Sequence, residues 1–279
     1  MSDLSILASY AHPDDEQGAS GTLRMCLDQG MRVGLLCATR GEVGEIADPS
    51  LATPETLGQV REQELRTAMN ILGVPNVYFL DYRDSGMDGT SENKDPRAFI
   101  NADETEAVGK IVKVIRSFKP TVIVTFDVTG GYGHPDHIAI HRWTTKAFHA
   151  ANDPTLYPEA GAAFAPSRLF YASIPRSARI RMAKIFDEMG IHSVFKNLPA
   201  DKFGLPDELI TNRVNVKQYV ALKKQSLSAH KTQLDPNGIF AKLPEETWDQ
   251  WRSVETFAFA EGVPLPPDAA PDDLFAGLH

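Results

Sequence analysis

The chain has 279 residues, enough for one large or two modest domains, and its 42% hydrophobic and 23% charged residues describe a folding sequence rather than a disordered one. With 37 acidic against 28 basic side chains the formal charge is −9, which argues against a grip on a nucleic-acid backbone or an anionic membrane surface. No stretch approaches the ~20 apolar residues of a membrane span, and the N-terminus, with Asp3 so early, lacks a leader pattern. Cys26 and Cys37 are too few for a disulfide framework, so two buried thiols in a reduced, cytoplasmic protein are expected.

Short apolar runs alternate along the chain with longer amphipathic stretches. Ile6-Leu7-Ala8 reads as a first buried strand, followed by a helical stretch over 16–30. Val33-Gly34-Leu35-Leu36-Cys37 is a second strand, and the polar stretch 40–56, with Gly41, Gly44, Pro49 and Pro54, is a long loop. A helix over 57–72, a strand at Val77-Tyr78-Phe79-Leu80 and a helix over 104–118 follow; Asp103 caps the last and Lys119-Pro120 stops it. The strand Val122-Ile123-Val124-Thr125-Phe126 precedes a helix over 136–150, and a break at 152–167 leads to the strand Leu169-Phe170-Tyr171-Ala172. Helical stretches over 176–190 and 216–230 come last.

Continuous apolar runs, rather than strict alternation, are what a sheet covered on both faces requires. The expected fold is therefore α/β, a Rossmann-like, mostly parallel sheet with helices on both faces and a C-terminal elaboration. No internal repeat is present, and the breaks do not look like interdomain linkers. A single domain over 1–279 is expected, with a core at 1–175, the elaboration at 176–260 and a loose acidic tail, rich in Pro and Asp, at 261–279.

In such sheets ligands bind beyond the carboxyl ends of the strands. Ala11-His12-Pro13-Asp14-Asp15-Glu16 follows the first strand, and Gly130-Gly131-Tyr132-Gly133-His134-Pro135-Asp136-His137 follows the Val122–Phe126 strand. Each carries a His-Pro-Asp core, and neighbouring strands would bring both into one crevice. Two imidazoles and a carboxylate suit Zn²⁺, and equally Fe²⁺ with open positions. His12 and the Asp three residues on can converge, leaving the other Asp free as a general base beside the metal. A second histidine, three residues before the third ligand, would stabilise charge or supply a proton. Taken singly, each cluster has a plainer role: Asp15 and Glu16 would also serve at a helix N-terminus. His141 and His149 add no matching motif and read as ordinary helix residues, and His192 and His279 as surface residues.

Together, Ala11-His12-Pro13-Asp14-Asp15-Glu16 and Gly133-His134-Pro135-Asp136-His137 resemble the PIG-L, or LmbE-like, superfamily of metal-dependent N-deacetylases. Thr39-Arg40-Gly41-Glu42-Val43-Gly44-Glu45 is similar to that family's Gly-Glu loop, and Arg61-Glu62-Gln63-Glu64-Leu65 to its Arg-x-x-Glu-Leu helix. Arg83-Asp84-Ser85-Gly86-Met87, His230-Lys231-Thr232-Gln233 and Leu234-Asp235-Pro236-Asn237-Gly238 resemble the mycothiol deacetylase and mycothiol conjugate amidase branch.

The resemblance implies that His12, Asp15 and His137 hold the metal, normally zinc with Fe²⁺ as the alternative, and that Asp14 is the general base. His134 would be the electrostatic partner or acid, oriented by Asp136, and Tyr132 a mobile oxyanion donor. Glu45, Arg61, Asp84 and His230 match substrate-side positions; ordinary structural roles compete there, such as an Arg61–Glu64 surface pair or Asp84 as a turn former. The implied reaction is hydrolysis of an N-acyl amide, most simply deacetylation of an N-acetylglucosamine-containing small molecule. Cleavage of a mycothiol- or bacillithiol-type thiol conjugate is the alternative. The partner is thus a small molecule, and homo-oligomerisation is left open. An iron oxygenase, a metal-dependent phosphoesterase and a non-catalytic carbohydrate-binding module each fit part of the pattern. Strand-helix alternation disfavours the first, the shortage of carboxylates the second, and Asp14 with His134 the third.

Overall fold

The computed structural model describes residues 3–190, 204–235 and 238–278; His192, His279 and the Pro236-Asn237 pair of the last motif lie outside them. Seven strands form one sheet in the order β3-β2-β1-β4-β5-β7-β6. They are β1 (Ser5–Tyr10), β2 (Arg32–Cys37), β3 (Asn76–Phe79), β4 (Val122–Phe126), β5 (Arg168–Ala172), β6 (Asn212–Asn215) and β7 (Val254–Gly262). The first five pair in parallel, β7 runs antiparallel to β5, and β6 runs antiparallel to β7. Winding proceeds from β1 outward through β2 and β3, then restarts from β1 through β4 and β5. The order therefore reverses between β1 and β4, where a crevice opens at the strands' carboxyl ends.

Every residue of β1 is buried, as its unbroken apolar run requires. Alternate residues serve opposite faces. Ile6, Ala8 and Tyr10 pack with Leu23 and Cys26 of α1 (Ser20–Asp28) and with Leu65 and Met69 of α2 (Leu57–Leu72). Leu7 faces Ile111 and Ile115 of α3 (Glu104–Phe118), and on the same side the helix Pro135–Ala150 contributes Ile140 and Trp143. The ends of α3 follow the sequence: Asp103 accepts the Glu106 N–H, and Lys119 turns left-handed before Pro120. Cys26 and Cys37 are free, buried thiols. Among the described residues no helix is long and apolar enough to cross a membrane.

Three features depart from the sequence reading. The helix expected from residue 16 breaks into a 3₁₀ turn, Asp15–Gly18, before α1. Asp15 turns its carboxylate back onto the N–H groups of Ala11 and His12, which ties the turn to the strand instead of starting a helix. The C-terminal part also contributes β6 and β7 to the sheet. Their mixed polar and apolar residues give no continuous run, because they lie toward the sheet's edge.

The acidic tail, finally, is not loose: Leu274 and Phe275 are buried. The buried Arg168 guanidinium donates to the carbonyls of Val263 (2.7 Å), Pro264 (3.0 Å), Leu274 (3.0 Å) and Ala276 (2.7 Å). Composition describes the tail's own residues, whereas its anchor is one arginine on a distant strand. Arg116 does the same for the 150–161 segment, donating to the carbonyls of Ala150, Ala151, Asp153, Leu156, Tyr157 and Gly161.

Candidate active site

The turn after β1 carries strain. Asp14 has φ 102° and ψ −21°, a region that residues with a Cβ rarely enter and that costs on the order of 1–3 kcal/mol. Neighbours hold it there. The Asp14 N–H donates to Glu16 Oε2 (2.9 Å), and Glu16 is fully buried. Glu16 Oε1 pairs with His230 Nε2 at 2.9 Å, and Gln233 Nε2 donates to the Pro13 carbonyl at 2.9 Å. Burial, with Asp15 adding its charge, pushes the Asp14 carboxyl up to about 7.

After β4 the chain makes a single turn, α4 (Gly130–Gly133), then enters α5 (Pro135–Ala150). A Cβ at Gly130, where φ is 62°, would stand 2.8 Å from the His137 Cβ, so only glycine lets this turn lie on α5. His137 Nδ1 lies 3.0 Å from the Gly130 carbonyl. A carbonyl only accepts, so Nδ1 carries the proton and Nε2 offers a lone pair. Phe126 stacks flat on the His137 ring, centroids 4.0 Å apart. His134 caps α5, its Nδ1 accepting the Asp136 N–H, which leaves its proton on Nε2 as a donor. Burial pushes the His134 imidazole down to about 3, so it is neutral.

The two turns converge. His12 Nδ1 lies 3.1 Å from His137 Nε2, while Asp15 Oδ1 stands 3.2 Å from His137 Nε2 and Asp15 Oδ2 3.6 Å from His12 Nδ1. His12 Nε2 faces two carboxylate oxygens, Asp136 Oδ2 at 3.1 Å and Asp84 Oδ1 at 3.4 Å, and therefore carries the ring's proton. With both rings neutral, two lone pairs and a carboxylate face one another, an arrangement suited to a bound cation. In a tetrahedral zinc site, with bonds of about 2.0–2.1 Å, ligand atoms stand about 3.3–3.4 Å apart, close to the His12–His137 and Asp15 Oδ1–His137 separations. Ring nitrogens of His12, His134 and His137 also lie within 4.8 Å of one another, as do ligand atoms of His12, Asp84 and Asp136. The latter set is a hydrogen-bonded support on the far side of His12.

The remaining expected residues divide. Tyr132 stands beside the cluster, its ring centroid 5.0 Å from that of His137. Asp136 does not orient His134 through its carboxylate, as expected; that group is spent on His12 and on the Ser85 N–H and hydroxyl, and only its backbone N–H reaches His134. Asp84 is buried, accepting from Gly86 and Val43 behind His12. Arg61 is buried as well, not paired at the surface with Glu64; it donates to the carbonyls of Gly41 and Glu45 (both 2.9 Å) and so shapes the Gly-Glu loop. Glu64 instead accepts from Thr232. Of the four substrate-side candidates only the Glu45 side chain is exposed, and His230 is wholly buried behind the Asp14 turn. Sequence reading missed Ser85, Glu16 as the partner of His230, and Phe126. Ser85 stands next to Asp84 in the Arg83–Met87 motif, and that adjacency was its one signal.

Comparison with known proteins gives this geometry a family. Residues 7–148 match the GlcNAc-PI de-N-acetylase family, PIG-L. A 1D-myo-inositol 2-acetamido-2-deoxy-alpha-D-glucopyranoside deacetylase from Geodermatophilus obscurus is 39% identical, the alignment covering 98% of this chain and 97% of the relative. Among solved structures, the N,N'-diacetylchitobiose deacetylase from Pyrococcus horikoshii superposes with a TM-score of 0.62 at 18% identity, covering 92% of this chain and 83% of the other. A 4-carboxy-2-hydroxymuconate hydratase from Pseudomonas putida superposes at 0.61 and 15% identity, covering 96% and 100%, so the fold by itself does not select the reaction. The chain belongs to the PIG-L family. It is a hydrolytic N-deacetylase, with a cluster able to bind a metal.

Proposed function

We propose that the protein removes acetate from an N-acetylglucosamine glycoside, with an inositol glycoside as the first candidate, in a reaction that depends on zinc or, as the alternative metal, Fe²⁺. The observation that carries this reading is the convergence of His12, Asp15 and His137, directly beside the strained Asp14. The name of the Geodermatophilus obscurus relative, 39% identical along nearly its whole length, supports the substrate. Small-molecule chemistry and two free, buried thiols fit a cytoplasmic enzyme. The whole chain acts as one domain, since the Asp14 turn is closed by residues near 230.

His12, Asp15 and His137 would hold the metal, which would supply a Lewis acid for the amide carbonyl and lower the pKa of water. Asp14, whose carboxyl is raised toward neutrality, takes a proton from the attacking water. His134 offers Nε2–H to the oxygen that gains charge, and Tyr132, whose ring packs beside His134 and His137, is the second candidate donor. Asp136 and Ser85 fix the tautomer and direction of His12. Arg61 works through the backbone, keeping the Gly41–Glu45 loop folded at the crevice, where Glu45 meets the sugar side of the substrate.

The test is acetate and free-amine release from N-acetylglucosaminyl-inositol, with chitobiose and N-acetylglucosamine for comparison. Release should vanish on chelation and return with Zn²⁺. A protein that binds one metal per chain yet releases no acetate from any of these would sink the substrate assignment.

A further inference from the structure

The crevice has a second arm. On one side of the His12–Asp15–His137 cluster stand the polar loops after β2 and β3. On the other, past Asp15, Phe126 and Tyr132, a cavity of about 400 Å³ runs between the end of β5, the start of β7 and two helices, α6 (Arg176–Glu188) and the one ending at Arg252. Its size falls among sites for drug-sized ligands, ~300–1,000 Å³. An acetyl group is not far above a water molecule's share of the liquid, about 30 Å³, so acetate leaves nearly all of this space unused.

The lining has a direction. Ile174, Met182 and Trp251 give it an apolar wall, and Lys223, Glu255 and Arg252 stand among its polar residues. Two of these three are spent on each other. Lys223 and Glu255 form a buried ion pair, and Glu255 also accepts from the N–H groups of Gly21 and Thr22 and from the Thr22 hydroxyl. Arg252 is different. Its NH1 makes one long bond to Gln17 Oε1 (3.3 Å), its guanidinium lies over Trp248, and its buried Nε has no hydrogen-bond partner. Among the described residues no carboxylate stands within ion-pair distance of it. A half-buried guanidinium with one long side-chain bond, beside a largely apolar cavity that reaches Asp15 and Tyr132, fits an apolar chain with an anionic end.

We propose that this cavity is an acyl subsite, and that the protein hydrolyses N-acyl amino sugars whose acyl chain is of medium length and ends in a carboxylate. The inference rests on the amide-hydrolysis reading and extends it from acetyl to this second acyl class. The amine half lies toward the loops after β2 and β3, the chain runs along Ile174, Met182 and Trp251, and its carboxylate meets Arg252. The step is balanced as for acetyl: water's oxygen bonds the acyl carbon, the C–N bond breaks, and a dicarboxylate and a free amine leave, the amine taking up the proton.

The experiment uses the full-length, metal-loaded protein and glucosaminyl-inositol carrying N-acetyl, N-octanoyl or N-suberoyl groups. The N-suberoyl compound should be hydrolysed with kcat/KM about tenfold or more above N-octanoyl, the difference made by a charge-assisted hydrogen bond. In Arg252→Met the suberoyl-to-acetyl ratio of kcat/KM should fall about tenfold, and in Met182→Trp, which fills the channel, both long acyl groups should be lost relative to acetyl. Calorimetry with suberate reads the subsite without turnover: it should bind the native protein and fail to bind Arg252→Met. Acetyl turnover with both long acyl groups rejected would overturn the inference and leave the deacetylase reading standing. Suberate failing to bind the native protein, or binding Arg252→Met equally well, would overturn it too. No hydrolysis of any substrate would instead strike the underlying reading, and the inference with it.

Discussion

The two sides of the β1–β4 crevice are built by different means. Toward β2 and β3, side chains hold backbone over short stretches of sequence: Arg61 grips the carbonyls of Gly41 and Glu45, and Asp84 takes the N–H groups of Gly86 and Val43. Toward β5 and β7, side chains reach across most of the chain's length, Glu255 to the Gly21 and Thr22 N–H groups and the Thr22 hydroxyl, and Arg252 to Gln17. The first kind of wall is written in compact motifs and shapes a polar loop. The second comes from residues with no motif of their own, and it encloses space. A short motif therefore announces where the chemistry is, while the part of the site that admits or refuses a substrate is dispersed.

The centre common to both sides gives the largest expected effects. Asp14→Ala should keep its metal and lose about 10²–10⁴ in turnover, the ordinary worth of a positioned base, whereas His137→Ala should lose metal and turnover together. Metal analysis beside acetate release separates the two, and near-normal turnover of Asp14→Ala at saturating metal would show the base to be another group. On the β5–β7 side, Lys223→Met leaves the Glu255 carboxylate buried without its cation. Breaking such a pair costs about 3–5 kcal/mol, read by denaturant unfolding, with metal content in the surviving folded protein unchanged.

Between the extremes lies Asp136→Ala, which frees His12 to turn; metal affinity or activity should fall about 10- to 100-fold, and an unaltered metal titration would deny Asp136 this part. On the β2–β3 side, Gly44→Ala sharpens the comparison at the smallest scale. A Cβ there would overlap the guanidinium of Arg61, which must then release the loop carbonyls. We expect a loss of about 1–3 kcal/mol in stability and a higher KM with unchanged metal content; a KM equal to that of the native protein would mean that this loop does not face substrate.

Much of the fold was legible because β1, β2 and β4 are covered on both faces, and short unbroken apolar runs such as Ile6-Leu7-Ala8 suit a buried strand better than any element with a solvated face. The pairing of β7 with β5 was not, because Val254-Glu255-Thr256-Phe257 mixes polar and apolar residues near an edge and one of its acids is consumed inside the protein. In the site, the His-Pro-Asp pair led directly to His12, Asp15 and His137, since turns after adjacent parallel strands end in one place. Three assignments went differently. Asp136 turned to His12, Arg61 to backbone carbonyls and His230 to Glu16, each because a buried polar group takes the partner that packing supplies, which residue type alone does not specify.

Glu16 and the Pro13 carbonyl meet partners more than two hundred residues further along, at His230 and Gln233. The order of synthesis therefore separates two events. All three proposed ligands lie within the first 137 residues and can meet while the ribosome is still working. The clasp behind Asp14 waits until residues 230–233 have emerged, so a growing chain acquires the residues proposed to hold a metal well before it acquires the geometry to use one.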